Sequence, residues 1–340
     1  MLQGVEAIEG ELGHPLAGGI HAEDAARFPH RRPEPTGSGL PLGSRHRPAS
    51  VRPVIDLHTH SDESDGSEAP ARIPELAAAA GCSAVALTDH DSLNGLSEAT
   101  ASAARVGVVL VPGCEVSCRK PVLGGGRRPA GSLHVLCYFV EPGEGPLQDE
   151  LHRLRQDRLA RNRALVERLV SLGVALSWED VVAEAGHEQG VGRPHFARVL
   201  VRMGAAEDVE DAFDRWLADG RPAYVPKGRL DAADVAALAR TSGAVSVLAH
   251  PLSLGLEAPA LESVVRELAE QGLGGLEAVY GRYRPDQRRQ LRGLAERVGL
   301  VATGGSDFHG SFKPDLSVGV GTGDLHVPDS ALEALAARRR

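Results

Sequence analysis

The chain has 340 residues, of which 42% are hydrophobic, enough to bury the core of one large α/β domain or two smaller ones. Its formal net charge of −9 argues against binding of long duplex nucleic acid through a basic face, but it does not exclude a phosphorylated substrate. The chain shows no apolar run near the roughly 20 residues that span a bilayer, no signal-peptide pattern and no zinc-binding cysteine spacing, so we expect a cytoplasmic protein without a membrane partner.

The first fifty residues differ in composition from the rest of the chain. Residues 1–50 are rich in Gly, Pro, Arg and His and show no hydrophobic period, which predicts a disordered N-terminal extension. From residue 51 to about 148, β-branched runs alternate with helical patterns. The predicted elements here are strands at 51–55, 84–88, 108–111 and 133–138, and helices at 70–80 and 93–106.

The alternation stops between residues 149 and 227, and we interpret this segment as a helical insertion that covers the mouth of the domain. Its predicted helices are at 151–172, 178–185, 193–203 and 207–217. Alternation resumes over 228–325, with strands at 245–249, 276–280 and 300–305, helices at 231–241, 260–271 and 284–298, and a C-terminal tail at 326–340. Such alternation over 51–148 and 228–325 is typical of a parallel α/β barrel.

Histidine and carboxylate side chains recur where the predicted strands end. His58 and His60 are two residues apart at the end of the first strand, so both imidazoles point to one face. One such end could be a helix cap or a chance pair, but six of them along one barrel indicate a metal site at its carboxyl rim. The nine candidate ligands are His58, His60, Asp65, His90, Glu115, His134, His250, Asp307 and His309.

The mixture of ligand types indicates which ions this site would bind. Imidazoles with carboxylates suit Mn²⁺, Zn²⁺ or Fe²⁺ better than Ca²⁺ or Mg²⁺ alone. Nine ligands exceed the needs of one ion, so we expect two or three divalent ions, with a carboxylate such as Glu115 bridging two of them. Clustered ions can create a hydroxide near neutral pH and clamp a phosphoryl group during in-line displacement.

Seven short motifs contain these residues in a fixed order. They are Asp-Leu-His58-Thr-His60-Ser, Ser-Asp65-Gly, Thr-Asp-His90-Asp, Glu115, His134, Ala-His250-Pro and Ser-Asp307-Phe-His309-Gly. Together they resemble the motifs of the PHP (polymerase and histidinol phosphatase) family over about residues 54–140 and 230–320. The resemblance implies a distorted, TIM-like (β/α)7 barrel with a trinuclear metal centre.

The resemblance also implies how the ligands are shared between the ions. One ion would be held by His58, His60, Glu115 and Asp307, a second by Glu115, His134 and His250, and the third by Asp65, His90 and His309. Many family members have His where this chain has Asp65. This Asp and the helical insertion are similar to the subgroup that hydrolyses nucleoside 3′,5′-bisphosphates and trims short 5′-phosphorylated oligonucleotides from the 5′ end.

Cationic side chains of the predicted insertion are candidates for contact with a substrate phosphate. Arg158 and Arg161 share one face of a predicted helix, and guanidinium groups pair directionally with phosphate. Arg193 and His195 begin another helix, whose N-terminus favours phosphate binding. Lys227 is a further candidate. Each has a structural alternative, as a solvated charge, a capping histidine or a surface lysine.

These patterns predict a metal-dependent phosphoesterase in which metal-activated hydroxide hydrolyses phosphate monoesters or diesters of nucleotides. We expect His195, Asp307 and His309 to be catalytic, and a phosphorylated small molecule or short oligonucleotide to be the substrate. The alternatives are a histidinol-phosphate-type phosphatase and a non-catalytic PHP module that mediates interactions. A metal-dependent amidohydrolase would need a lysine at the end of a barrel strand, and none of the three lysines lies there.

Overall fold

A computed structural model of the protein describes residues 54–123, 126, 128, 129 and 131–339. The predicted disordered extension at residues 1–50 lies outside the described residues, as do the start of the first predicted strand and Arg340. Among the residues that are described, no helix has both the length and the apolar character needed to cross a membrane.

Seven strands form one sheet, and their order in the sheet is their order in the chain. The barrel closes because the segment after β1 hydrogen-bonds to the end of β7, with Leu57 N donating to Gly304 O at 3.2 Å and Asp307 N donating to His58 O at 2.8 Å. The predicted barrel fold is therefore confirmed. The strands are β1 (Val54–Asp56), β2 (Cys82–Leu87), β3 (Val109–Cys118), β4 (Leu133–Tyr138), β5 (Val245–Leu248), β6 (Gly275–Tyr280) and β7 (Val301–Gly305).

The prediction of an entirely parallel barrel was wrong at one strand, because β4 runs antiparallel to both β3 and β5. Parallel neighbours need a crossover connection, usually a helix, and the described part of the connection at 119–132 contains no α-helix. The reversal matters for the rim, because it pairs His134 at the start of β4 with Ser117 near the end of β3. A parallel β4 would place His134 at the opposite end of the barrel.

The third strand is longer than predicted. The predicted strand at 108–111 continues to Cys118, so Glu115 lies within β3 rather than after it. The added residues from Gly113 to Cys118 all pair with β4. The antiparallel pairing with β4 therefore extends β3 beyond its predicted end, and the sequence pattern did not indicate this pairing.

The described helices follow the predicted pattern closely, and those outside the segment between β4 and β5 lie around the barrel. The barrel interior is apolar, and Tyr138 inside it donates its hydroxyl to Leu57 O at 2.8 Å. The helices are α1 (Arg72–Ala79), α2 (Leu96–Val106), α3 (Pro146–Ser171), α4 (Trp178–Ala185), α5 (Arg193–Arg202), α6 (Val209–Ala212), α7 (Ala232–Thr241), α8 (Ala258–Glu270), α9 (Pro285–Val298) and α10 (Ser330–Ala336).

The segment between β4 and β5 has an apolar core of its own. Leu165, Leu169, Phe196 and Leu217 are buried together there. Helix α3 contributes to two cores, because its first half packs on the barrel helices through Leu151 and its second half supplies the core of the segment. The predicted helix at 207–217 is only partly α-helical, since α6 is followed by a π-helical turn at Phe213–Leu217.

The core of this segment gives a stability prediction for helix α3. Leu169 is fully buried, whereas the neighbouring Val170 is 50% exposed. Leu169→Ala should lower the free energy of unfolding by about 2–5 kcal/mol, because it leaves a cavity in a packed core. Val170→Ala should lower it by less than about 1 kcal/mol. Urea denaturation followed by circular dichroism measures both, and equal losses would contradict this description of the core.

Candidate metal centre

The end of β1 places two imidazoles side by side at the rim of the barrel. His58 and His60 are completely buried, and their Nε2 atoms are 3.1 Å apart. Asp307 Oδ1 lies 3.4 Å from both Nε2 atoms. Gly305 permits this approach of β7, because a Cβ there would lie 2.4 Å from the Cβ of His58.

The carboxylate of Glu115 lies at the centre of the cluster. Its Oε2 is 3.2 Å from His58 Nε2 and 3.1 Å from His60 Nε2. Its Oε1 is 2.9 Å from both His134 Nδ1 and His250 Nε2. His90 Nδ1 also lies 3.4 Å from Oε2, so one buried carboxylate contacts five imidazoles, which is the geometry that a bridging ligand requires.

The remaining candidates lie next to His60, on the side of the loop that follows β1. Asp65 Oδ1 is 3.3 Å from His309 Nε2 and 3.9 Å from His60 Nδ1. Asp65 Oδ2 is 3.8 Å from His90 Nε2. The structure thus brings all nine predicted ligands into one continuous cluster.

Three overlapping groups in this cluster have ligand atoms within 4.8 Å of one another. The first group, His58, His60, Glu115 and Asp307, is the same as the first predicted ligand set. The second group, His90, Glu115 and His134, contains His90 where His250 was predicted. The third group, His60, Asp65, His90 and His309, contains the third predicted set and His60 in addition.

The carboxylates of the cluster favour positive charge on the side chains around them. Burial alone would lower the pKa of His58, but Glu277, Glu115 and Asp307 raise it well above its ordinary value. Burial would also lower the pKa of His60, but hydrogen bonds to Asp307 and Glu115 raise it to about 9. Burial lowers the pKa of His90 to about 3. Cations bound among these side chains would offset the negative charge of the carboxylates.

The donor set fits divalent metal ions. The Nε2 atoms of His58 and His60 face each other with two carboxylate oxygens beside them, so several lone pairs converge on one point. Nδ1 of His90 is buried without a hydrogen-bond partner among the described residues, although it lies 3.4 Å from Glu115 Oε2. A bound ion would satisfy such an atom, as expected for imidazole and carboxylate ligands.

Strained backbone holds several of these side chains at the rim. His250 has φ 25° and Asp307 has φ 57°, and Asp91 beside His90 has φ 53°. Non-glycine residues rarely adopt positive φ, and such residues concentrate at functional sites. Three of them at one end of the barrel support the interpretation that the rim is the functional face.

A carboxylate outside the predicted set supports two of the candidate ligands. Glu277 in β6 is fully buried, accepts a hydrogen bond from His250 N at 2.6 Å and lies 2.9 Å from His58 Nδ1. A carboxylate in this position fixes the tautomer and orientation of a ligating imidazole. A single acidic residue within the apolar run of β6 was the signal that could have revealed it.

Two more missed residues contact Asp307. Tyr280 donates its hydroxyl to Asp307 Oδ2 at 2.7 Å, and Lys313 Nζ donates to the same oxygen. Asp307 Oδ1 is therefore the oxygen directed at the imidazoles. No pattern around Lys313 in the sequence indicated this contact.

Two predicted substrate contacts are paired with an acidic side chain. Asp91 is fully buried, and its Oδ2 accepts from Arg158 Nη2 at 3.0 Å and from Lys227 Nζ at 2.8 Å. Arg158 also donates to the carbonyl oxygen of His90. These contacts tie the segment between β4 and β5 to the rim of the barrel.

A cavity of about 570 Å³ lies between the cluster and that segment. On one side it is lined by Asp65, His90 and His309, and on the other by Arg161, Arg193 and Arg229. Arg158 and Lys227 also lie on its wall. Metal-ligand candidates and guanidinium groups therefore face the same space.

His195 has a capping position at the start of α5. It is 2% exposed, its Nδ1 accepts from Gly192 N at 2.9 Å, and its ring meets the Phe312 ring edge-on at 4.7 Å between centroids. Its neighbours Arg193 and Pro194 line the cavity, but His195 is not among the described residues that do. The catalytic role predicted for His195 stays a prediction.

Known proteins share this sequence over most of its length. The PHP domain family matches residues 56–173. A 3′,5′-nucleoside bisphosphate phosphatase from Chromobacterium violaceum is 33% identical over 265 residues, which cover 78% of this chain and 90% of that protein. The chain belongs to the PHP family. The 5′-3′ exoribonuclease Rnm of Salmonella typhimurium is 31% identical over 258 residues, covering 75% of this chain and 85% of that protein.

A solved structure of a similar protein agrees with the barrel described above. The crystal structure of a candidate metal-dependent phosphoesterase from Bifidobacterium adolescentis superposes with a TM-score of 0.72 at 30% identity, covering 86% of this chain and 98% of that one. The predicted family and the predicted enzyme class, a hydrolase of phosphoester bonds, are confirmed.

The position of Glu277 gives a prediction for metal affinity. Glu277→Gln keeps the shape of the side chain but removes the charge that orients His58, so the affinity for Mn²⁺ should fall about 10–100-fold. Isothermal titration calorimetry of the metal-free protein measures this affinity. Glu262→Gln on the surface of α8 is the control and should bind Mn²⁺ as the wild type does. Unchanged affinity in Glu277→Gln would contradict the orienting role.

The buried capping histidine gives a prediction for pH. Burial lowers the pKa of His195 to about 4, below the value of about 6.5 in an unfolded chain. The unfolded state therefore binds an extra proton as pH falls from 6.5 towards 4, and stability decreases over that range. From pH 7 to pH 5 this amounts to about 2 kcal/mol.

A variant isolates this contribution. His195→Asn lacks the titrating group, so its free energy of unfolding should fall less than that of the wild type between pH 7 and pH 5. Urea denaturation at both pH values, with a chelator present throughout, gives the two differences. Equal differences would show that His195 is already accessible to protons in the folded state.

Proposed function

We propose that this PHP enzyme hydrolyses phosphate esters of nucleotides that carry a second phosphate. Its substrates would be nucleoside 3′,5′-bisphosphates or short 5′-phosphorylated oligonucleotides. The observation that carries the proposal is the group of arginines opposite the candidate metal centre, Arg161, Arg193 and Arg229, which line the same cavity as Asp65 and His309.

Within the described part of the chain, these arginines lack the acidic partners that most surface arginines have. Among the described residues, no carboxylate lies within 4.0 Å of a guanidinium nitrogen of Arg161, Arg193 or Arg229. The Nε atoms of Arg161 and Arg229 are buried, and no residue that the structure describes offers them a hydrogen bond. Buried donors of this kind are costly unless a ligand satisfies them.

The charge of this group selects an anion. Burial and the nearby guanidinium groups of Arg193 and Arg158 lower the pKa of Arg161 to about 9, and burial and Arg229 lower the pKa of Arg193. Positive charges that crowd one another in a cavity are stabilised by a polyanion, and planar guanidinium groups match phosphate oxygens. A second phosphate of the substrate fits this requirement.

The division of roles in the reaction follows from this arrangement. Two or three divalent ions of the Mn²⁺, Zn²⁺ or Fe²⁺ type, when bound by the nine candidate ligands, would lower the pKa of a water molecule and offset charge on the phosphoryl group. The three arginines would hold the second phosphate, and this fixes the distance at which the scissile phosphate can lie. Tyr280 and Lys313 would keep Asp307 oriented towards the imidazoles.

Roles for the other predicted residues are part of the same proposal. Arg158 and Lys227 lie on the cavity wall and would contact the substrate while Asp91 holds them in place. Asp307 and His309 would act at the reacting phosphate through the metal centre. His195 is neutral at pH 7 because of its low pKa, and its Nε2–H is available for donation because Nδ1 accepts from Gly192.

The three cavity arginines also distinguish the proposal from its alternatives. A histidinol-phosphate-type phosphatase acts on a substrate with a single phosphate and has no use for a second anion site. A non-catalytic module has no need for a complete set of nine candidate ligands. The similarity to a nucleoside bisphosphate phosphatase from Chromobacterium violaceum and to an exoribonuclease from Salmonella typhimurium supports a nucleotide substrate.

Substitution of the cavity arginines tests the proposal. Arg161→Met and Arg229→Met should each lower kcat/KM for adenosine 3′,5′-bisphosphate about 10–100-fold, the effect of one lost charge-assisted hydrogen bond. The value for adenosine 3′-monophosphate, which lacks the second phosphate, should change much less. Phosphate release in the presence of Mn²⁺ measures both rates.

A matched control lies on the same helix. Arg163 in α3 is exposed and pairs with Glu188, so Arg163→Met should leave the preference for the bisphosphate unchanged. Parallel losses on both substrates in the Arg161 and Arg229 variants would show that these arginines support the fold rather than the second phosphate. No hydrolysis of either substrate by the wild type would overturn the proposal.

A further inference from the structure

A lysine beside the candidate metal centre has hydrogen-bond donors that the proposed function does not use. Lys313 follows the short turn at Gly310–Phe312 after β7, and its side chain is 26% exposed. Its ammonium group donates to Asp307 Oδ2. Among the described residues, no other acceptor or acidic group contacts this ammonium group. An ammonium group has three hydrogens, so two of them have no acceptor in the described part of the chain.

The side chain of Lys313 borders the place where a reacting phosphate would lie. A second cavity, of about 580 Å³, also borders the cluster, and the three arginines opposite the centre do not line it. His90, His134 and His309 line both cavities, which therefore meet at the cluster. Lys313 lines both cavities as well. A phosphate ester bound at the cluster would therefore have the ammonium group beside it.

One other cationic side chain among the described residues lines both cavities, and it is already paired. Arg282 makes a bidentate contact with Asp315, with Nε 2.8 Å from Oδ2 and Nη2 2.6 Å from Oδ1. Such a contact uses one complete edge of the guanidinium group. Lys313 differs, because its partner oxygen on Asp307 also accepts from Tyr280 at 2.7 Å. Lys313 is therefore the cation at this junction that has donors left for a substrate.

The turn that carries Lys313 is held from two sides. Ser311 N donates to Ser67 Oγ, in the loop after β1, at 2.9 Å. Arg198 of α5 donates to Ser311 Oγ at 3.0 Å, and its guanidinium carbon lies 3.6 Å from the centroid of the Phe312 ring. A donor that is held in place before the reaction stabilises developing charge without the cost of reorganisation.

Hydrolysis of a sugar phosphate requires such a donor at the leaving oxygen. An alkoxide is a poor leaving group, so a positive charge or a hydrogen bond at this oxygen lowers the barrier to P–O cleavage. Ions that hold the other phosphoryl oxygens do not meet this requirement. His195 also has an N–H to donate, but it is not among the described residues that line either cavity.

We propose that Lys313 is a further catalytic residue, whose ammonium group donates a hydrogen bond to the leaving oxygen of the phosphate ester. This inference rests on the proposed function, in which the leaving oxygen is O3′ of a nucleotide. A water oxygen bonds to phosphorus and loses a proton to solvent. The P–O3′ bond breaks, its electron pair stays on O3′, and O3′ takes up a proton from solvent. The ammonium group keeps its protons and acts through its charge and its hydrogen bond.

A sulfur substitution in the substrate tests this role. In an analogue of adenosine 3′,5′-bisphosphate with sulfur in place of O3′, the leaving thiolate is stable without a hydrogen bond. Lys313→Met should therefore lower kcat/KM for the oxygen substrate about 10–100-fold more than for the sulfur analogue, the effect of one lost charged hydrogen bond. Lys313→Arg keeps a charged donor and should show a smaller difference. Phosphate release by the full-length protein at saturating Mn²⁺ measures both rates.

Tyr280→Phe is the matched control, because it removes the other hydrogen bond to Asp307 Oδ2 without a change of charge. It should lower both rates by the same factor. Equal losses on the two substrates in Lys313→Met would show that Lys313 only supports Asp307, and would overturn the inference. A ratio of the two rates that returns to the wild-type value at higher Mn²⁺ would overturn it too.

The histidine at the start of α5 provides a further comparison. His195→Asn should reduce the two rates equally, and a loss confined to the oxygen substrate in this variant but absent from Lys313→Met would assign the donor to His195 and overturn the inference. Each of these outcomes leaves the proposed function intact, whereas hydrolysis of neither substrate by the wild type would remove it.

Discussion

The contact on which the rest of the site depends is that of Glu115 with the surrounding imidazoles. A fully buried carboxylate next to five imidazole rings is stable only if positive charge is held between them, from protons or from metal ions. The barrel supplies this arrangement at one rim, because residues from several strands converge there. Next to this centre, the carboxylate of Asp91 is likewise paired with positive charge, from Arg158 and Lys227.

Much of the site could be predicted because its residue types recur at regular places. His58 and His60 are separated by the strand period, and His90, His250 and Asp307 each follow a buried strand, so the convergence of these side chains follows from barrel geometry. His134 was included correctly in the cluster, but the assumed parallel direction of its strand would have placed it elsewhere. The antiparallel pairing of β3 with β4 resolves that conflict.

Other residues could not be predicted because their contacts depend on the paths of loops. Lys313 reaches Asp307 from a loop beyond β7, and Arg229 faces the cavity from the connection before α7. Neither position lies in a periodic pattern, and neither lysine nor arginine is a metal-ligating residue type. Glu277 is different, because a charged residue in a strand that is otherwise apolar already requires a buried partner.

The tie formed by Asp91 limits how this fold can be rearranged. Its carboxylate is buried and receives both of its cationic partners, Arg158 and Lys227, from the segment between β4 and β5. A truncated barrel without that segment would keep the anion and lose both of its counter-charges. The segment is therefore an integral part of the fold. Grafting it onto a related barrel, or exchanging it for another, would succeed only if the barrel also carried the buried acidic residue that pairs with Arg158 and Lys227.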